Sequence, residues 1–211
     1  MDALRQFGQV TVTTAHRAYS TPQVSEKLGC RLFHLSVLVC PELYTRQQYR
    51  HKRKLVLLSP DPHPMRRRVE QMLRKSLPDY DFKVVRKMPY REYRQLCSEA
   101  RFALTFGEGL DGYYVESIFS GAVSAAVFND RFFTEKYRAL PFVYSNWSQL
   151  LQDLPGDLRI LDDEQAYGAA QRALFDVAAG DYQSEEYIGN LLHFYREGAF
   201  DSPPRLTGHA Q

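Results

Sequence analysis

Three features are scarce in this chain, and each scarcity excludes a class of protein. There are only three cysteines (Cys30, Cys40 and Cys97) and no Cys-x-x-Cys pair, so a reducing compartment is expected rather than a disulfide framework or a zinc site. No apolar run approaches the roughly 18 residues of a membrane-spanning helix, and the N-terminus lacks the apolar core of a signal peptide. An excess of one charge is also missing, because 27 basic residues balance 25 acidic ones to a net charge of +2. We therefore expect a cytoplasmic protein whose partners do not include nucleic acid.

What the chain does contain is an ordinary globular composition, with 44% apolar and 25% charged residues. From residue 53 onward, short apolar runs typical of strands buried on both faces alternate with amphipathic helical segments. Strands are predicted at 54–60, 81–87, 101–107, 122–128 and 140–145, and helices at 65–77, 89–100, 111–121, 145–154, 163–180 and 184–198. This alternation predicts an α/β fold, a Rossmann-like doubly wound parallel sheet with helices on both faces.

The pattern also predicts how the chain is divided. Residues 1–52 are predicted to be a lead-in segment or the end of an N-terminal domain, with β-rich runs at 9–15 and 31–39. The strongly basic run 45–54 is typical of a linker or an exposed helix, and it marks the boundary. Residues 53–198 are predicted to form the Rossmann-like domain, and 199–211 a flexible tail, because the tail has two prolines and little apolar content.

The stretch from Leu104 to Val127 carries the chemistry, as a strand, a glycine-containing turn, a helix and a second strand. Open parallel sheets bind ligands at the carboxyl ends of their strands. Gly109 and Gly112 would let the backbone approach a ligand closely, and the amides at the helix start would favour an anion such as a diphosphate. Glu108 and Glu116 would repel phosphate, so they are expected to accept hydrogen bonds from sugar and ribose hydroxyls.

The run Glu108-Gly-Leu-Asp-Gly-Tyr-Tyr-Val-Glu116, followed by Gly121 and a buried strand, resembles the Glu-x7-Glu motif of retaining GT-B glycosyltransferases of family 4. The resemblance covers residues 53–198, the nucleotide-sugar-binding, C-terminal half of such an enzyme. It implies retaining transfer of a sugar from a nucleotide-sugar to a glycan, lipid or protein acceptor in surface polysaccharide synthesis. It implies no cofactor and no obligatory metal. The acceptor site would come from an N-terminal domain or a partner chain, and association with the inner face of the membrane stays open.

The resemblance also assigns roles to the matching positions. Glu108 would be the catalytic residue that contacts the donor sugar, and Glu116 would hold the hydroxyls of the nucleotide ribose. Backbone groups facing the diphosphate or the sugar would come from Gly109, Leu110, Asp111 and Gly112, and the nucleobase would pack on Met88 and Pro89.

Two departures from the family pattern concern the diphosphate and the sugar. The family's Gly-Arg and Lys after the first strand are replaced by Ser-Pro-Asp-Pro-His-Pro at 59–64, so the nearest cations are Arg66, Arg67 and Arg68. The glycine after the first Glu-Gly is shifted by one position, to Gly112. Two alternatives stay open: a non-catalytic nucleotide-binding or scaffolding α/β domain, and a sugar-nucleotide epimerase. Trp147 is expected to pack between helix and sheet, and His63 to be exposed on its loop.

Overall fold

The computed structural model describes Ala3, Gln6 and residues 8–197. The predicted tail 199–211 lies outside them. In chain order the strands and α-helices are β1 (Thr11–Thr14), α1 (Pro22–Leu28), β2 (Arg31–His34), β3 (Arg53–Leu58), α2 (Arg66–Ser76), β4 (Asp81–Val84), α3 (Tyr90–Glu99), β5 (Ala100–Leu104), α4 (Gly112–Phe119), β6 (Val123–Val127), α5 (Glu135–Arg138), β7 (Val143–Tyr144), α6 (Trp147–Ile160), α7 (Glu164–Asp181) and α8 (Ser184–Glu197).

The chain divides into two compact units. The smaller unit holds the described residues up to Leu38 together with those from Ser184, and the larger unit is Val39–Gln183. In the smaller unit β1 and β2 pair in parallel, and the ring of Phe33 on β2 lies 4.9 Å from that of Phe194 on α8. The partition of the chain into 1–52, 53–198 and 199–211 stays a prediction.

A five-stranded sheet, in the order β4-β3-β5-β6-β7, is the centre of the larger unit, and its neighbouring strands all pair in parallel. β3 illustrates how both faces are covered. Leu57 packs in a cluster with Cys97 of α3, whereas Leu58 belongs to the cluster that contains Val69 of α2. Successive strand residues point to opposite faces, so α3 and α2 lie on opposite sides of the sheet. α6 contacts α2, and α4 contacts both α3 and α7. The predicted α/β fold with a doubly wound parallel sheet is confirmed.

The segment 39–52 belongs to this larger unit and packs against it. The ring of Tyr49 lies 5.0 Å from that of Tyr167 on α7. Lys52 is buried, and its ammonium donates to three backbone carbonyls, those of Ser98, Ala100 and Ser120, at 2.9, 3.0 and 3.1 Å. Burial lowers the pKa of Lys52 to about 7. The basic run 45–54 is therefore partly internal, although its composition is that of an exposed segment.

Among the described residues, no helix combines the length and apolar character needed to cross a membrane.

Candidate functional site

The strand order reverses between β3 and β5. After β3 the chain adds β4 on one side of it, and then crosses to the other side to form β5. The crevice at such a reversal, outside the carboxyl ends of the strands, is the usual ligand site of an open α/β sheet. Two loops border it here, residues 59–65 after β3 and 105–111 after β5. The hydroxyl oxygen of Ser59 joins them by accepting the backbone N–H of Phe106 at 2.9 Å. A Cβ on Gly107 would lie 2.9 Å from the carboxylate of Asp61, so the loops meet where a side chain has no room.

The second loop is shaped by Gly109, which has φ +91°. A side chain there would be strained, and its Cβ would sit against three carbons of the Phe133 ring, two at 3.1 and 3.2 Å and one closer still. Leu110 turns inward and is buried in the core. The backbone therefore packs directly against the Phe133 ring before the chain enters α4. What confines Gly109 is the protein's own Phe133 ring, and the predicted close approach of this backbone to a ligand stays a prediction.

Asp111 is the N-cap of α4, and both of its carboxylate oxygens are engaged. One accepts the backbone N–H of Tyr114 at 3.0 Å and the other the hydroxyl of Thr105 at 2.6 Å. Burial, with a smaller contribution from the charges of Asp61 and Glu108, raises the pKa of Asp111 to about 6, although its hydrogen bonds from Thr105 and Tyr114 oppose the shift. The helix start therefore already holds one carboxyl group, which would compete with a bound anion for the same amides.

Glu116 lies in the second turn of α4 and is 9% exposed. The hydroxyl of Tyr90 donates to Glu116 Oε2 at 2.8 Å, and the hydroxyls of Tyr90 and Tyr44 are 3.2 Å apart. Glu116 Oε1 would lie 2.9 Å from a Cβ on Gly112, so the carboxylate turns back toward the first turn of α4. Burial raises the pKa of Glu116. A hydroxyl-bearing ligand would replace the tyrosine hydroxyls as the partner of this carboxylate.

The other predicted site residues have different surroundings. Glu108 is partly exposed on the loop after β5. Met88 packs against the same small apolar cluster as Tyr113 of α4, and Pro89 is exposed as the N-cap of α3. The backbone therefore brings the predicted nucleobase position and the start of α4 to one part of the sheet edge.

Of the three arginines nearest the loop after β3, Arg66 is partly buried, whereas Arg67 and Arg68 are exposed. The guanidinium of Arg66 donates to the carbonyls of Ser59 and Asp61, pairs with Glu70 at 2.9 Å and lies 4.3 Å from the ring centre of Phe106. Arg66 thus holds the loop after β3 in place.

Sequence reasoning missed a cavity of about 440 Å³ at the carboxyl ends of β5, β6 and β7. Trp147 and His63 both line it, together with Asn129 and Arg138. Trp147 does pack on the protein, since its ring is stacked on that of Phe106 at 5.6 Å, but it also faces the cavity. The lining comes from five separate stretches of chain, so no local spacing announces it.

The opposite edge of the sheet, at the amino-terminal ends of the strands, has fewer features of a binding site. The triplet Asp79-Tyr80-Asp81 has the spacing of a metal-binding Asp-x-Asp motif, but Asp79 pairs with Lys54 and Asp81 lies 3.6 Å from Arg53. An open cavity of about 410 Å³, similar in size to the one beside Trp147, lies next to it. Within the described part of the chain, no group of three or more His, Cys, Asp or Glu residues is arranged to hold a metal ion.

No protein-family model and no curated protein sequence matches this chain. Among solved structures it is similar to the crystal structure of TarM, a glycosyltransferase of the GT-B type, with a TM-score of 0.51 and 11% sequence identity. The similarity covers 78% of this chain and 39% of the TarM chain. The chain thus corresponds to about two fifths of that protein. At this identity the likeness concerns the fold alone, a Rossmann-like α/β fold with a parallel sheet and flanking helices.

Proposed function

We propose that this chain is the nucleotide-sugar-binding part of a retaining GT-B glycosyltransferase similar to family 4. The observation that carries the proposal is the loop at the strand reversal, where Gly107 and Gly109 press the backbone against the protein and lead into α4 and the buried Glu116. The fold likeness to a glycosyltransferase supports it. The reaction would transfer a sugar to a glycan or lipid-linked acceptor on the cytoplasmic side of the membrane, in surface polysaccharide synthesis.

In this proposal the nucleotide extends along the sheet edge from β4 to β5. The base would pack on Met88 and Pro89, and the two ribose hydroxyls would donate to Glu116 in place of Tyr90. A carboxylate accepts two hydroxyls well, because each oxygen has free lone pairs. The carboxylate is already buried beside the helix start, so its side chain would lose little conformational entropy on binding.

The diphosphate would lie at the N-terminus of α4. Asp111 takes the amide of Tyr114, so the amides of Gly112 and Tyr113 would receive the phosphate oxygens, with Arg67 as the exposed cation. Arg66 would act indirectly by fixing the loop after β3. Stabilising the charge that develops on the leaving diphosphate is the largest electrostatic contribution available at such a site. Glu108 would contact the donor sugar, and the reaction would need no obligatory metal.

Calorimetric titration of the chain with UDP, GDP and ADP, with and without magnesium, tests the proposal. One nucleotide should bind, equally well in both conditions. Glu116→Ala should weaken it at least about tenfold, because hydrogen bonds to a charged group contribute about 1.5–3 kcal/mol each. Glu92→Ala, which removes an exposed glutamate from the first turn of α3, is the matched control and should bind normally. Unchanged affinity in Glu116→Ala would contradict the ribose role, and binding of none of the three nucleotides would contradict the function.

A further inference from the structure

The cavity at the carboxyl ends of β5, β6 and β7 borders the nucleotide site just described, since Gly107 belongs to both. Its lining includes Gly107 from the loop after β5, Asn129 and Asp130 after β6, and Ser145 after β7. The nucleotide is assigned to the stretch from β4 to β5, and neighbouring strands are about 4.8 Å apart. Most of the cavity therefore extends from the loop that carries Glu108 over the next two strands, about 10 Å in the opposite direction. His63, from the loop after β3, completes its lining.

One side of this cavity is aromatic. The indole of Trp147 is stacked nearly parallel on Phe106, with ring centres 5.6 Å apart and planes at 5°. The imidazole of His63 lies 4.3 Å from the same indole. Phe106 is buried beneath, whereas Trp147 and His63 are partly exposed and line the cavity. A rigid ring surface of this kind suits a flat ligand face with C–H groups, such as one face of a pyranose ring.

The other side is polar and its charges balance. The guanidinium carbon of Arg138 lies 3.8 Å from the ring centre of Phe128, and the guanidinium donates two hydrogen bonds to Glu135, at 2.8 and 2.9 Å. Asp130 is the carboxylate of the lining. The cavity thus offers one full charge of each sign, which does not favour a phosphate.

His63 adds a neutral donor to this set. Its Nδ1 accepts the backbone N–H of Met65 at 3.1 Å, so the proton of the neutral ring is on Nε2. Burial, together with the charge of Arg66, lowers the pKa of His63, which keeps the ring neutral at pH 7. The lining therefore supplies both donors and acceptors and has no net charge, which suits hydroxyl groups because each hydroxyl both donates and accepts.

We propose that this cavity binds a saccharide ring of the acceptor, with the ring face on Trp147 and its hydroxyls on Arg138, Asp130 and Asn129. The identification of this saccharide as the acceptor rests on the proposed function, whereas saccharide binding itself follows from the cavity alone. The acceptor sugar would then reach the loop of Glu108 from the side opposite the nucleotide. This chain would contribute to acceptor recognition as well as to donor binding.

Trp147 makes the test direct, because it is the only tryptophan in the chain. Its fluorescence is measured in the full chain while methyl glucoside, methyl galactoside, N-acetylglucosamine and maltose are added separately, with inorganic phosphate and UDP as further probes. At least one saccharide should change the emission with a saturable, millimolar dependence. Arg138→Gln should weaken that saccharide about tenfold, as expected for loss of a charged hydrogen-bond donor. Lys136→Gln removes a positive charge from the same short helix but not from the cavity lining, and it should have no effect.

Each result decides for or against the cavity as a saccharide site. Saturable binding that is weakened about tenfold in Arg138→Gln and undisturbed by UDP supports the proposal, and it does so even where calorimetry detects no nucleotide. A response to inorganic phosphate without one to saccharides would identify an anion site and overturn it. Competition between the saccharide and UDP would place the cavity in the donor site and overturn it as well. The absence of any saturable saccharide response in a folded protein would also refute it.

Discussion

Replacing Gly109 with alanine should destabilise the protein by about 3 kcal/mol, which can be worked out from two separate costs. The backbone at Gly109 has φ +91°, and an L-residue held in the left-handed region is disfavoured by roughly 1–2 kcal/mol. The new Cβ would also press into the Phe133 ring, and overpacking of a buried site costs about 1–3 kcal/mol. The two costs act at the same atom but have different origins, so they can be separated.

Thermal unfolding followed by circular dichroism measures the total destabilisation by Gly109→Ala, which is the sum of the two costs. For a chain of 211 residues, a loss of about 3 kcal/mol lowers Tm by roughly 6–12 °C. Gly168→Ala is the matched control, since Gly168 lies inside α7 with open space around the position of its Cβ. It should stabilise the helix by about 0.8–1 kcal/mol, because alanine is the better helix former. The same chemical change should therefore move Tm in opposite directions at the two sites.

A double-mutant cycle with Phe133→Ala separates the two costs. Removing the ring creates a cavity and costs about 3–5 kcal/mol alone, but it also removes the atoms that the Cβ introduced by Gly109→Ala would strike. The double variant should therefore be more stable than the sum of the single effects by about 1–2 kcal/mol. Strict additivity would refute the reasoning, because it would mean that the ring does not confine Gly109. A Gly109→Ala protein as stable as the parent would refute both parts.

Two further predictions concern buried ionisable groups. Burial lowers the pKa of Lys52 to about 7, below its unfolded value of about 10.4, so between these values the unfolded chain binds more protons and stability rises with pH. The free energy of unfolding of the parent, relative to that of Lys52→Met, should therefore rise by about 2 kcal/mol from pH 7 to 9. The matched control is Lys54→Met at the exposed surface, for which the difference from the parent should not change with pH. The same constant difference for Lys52→Met would contradict the prediction. The pKa of Asp111 is raised to about 6, so its charge, and its competition with a diphosphate, should fade as pH falls through 6. The affinity for whichever of the three nucleoside diphosphates binds should then increase more in the parent than in Asp111→Asn, which keeps a good N-cap. Calorimetry at pH 5.5 and 7.5 measures this.

The sheet and its helices could be predicted because each element has a strong local pattern. The continuous apolar run of β3 and the small, apolar residues of β6 require burial on both faces, which fixes a parallel sheet covered by helices. The ends of elements were predicted less well. The helix predicted at 145–154 extends through Pro155 to Ile160, because Leu150, Leu154 and Leu158 continue one buried stripe. Packing of that stripe outweighs the single missing N–H of the proline.

Lys52 shows why other features could not be predicted. A lysine inside a basic run is exposed in most proteins, and nothing adjacent in sequence announces its acceptors. Those acceptors are backbone carbonyls from 46 to 68 positions away. Backbone groups have no side-chain signature, so only the assembled fold reveals that this ammonium has partners. The cavity beside Trp147 has the same origin, since its lining is collected from the ends of several strands.

The site residues divide at β5, and this division predicts how the two ligands should respond to substitution. Glu116 and its tyrosine partners lie on the side of β4, whereas Trp147 and Arg138 lie on the side of β7. Glu116→Ala should therefore weaken only the nucleotide, and Arg138→Gln only the saccharide. The loop that contains Gly109 borders both, so Gly109→Ala should weaken both in the fraction of protein that remains folded. A variant on one side that changed affinity on the other by more than about 0.5 kcal/mol would mean that the two sites are energetically coupled.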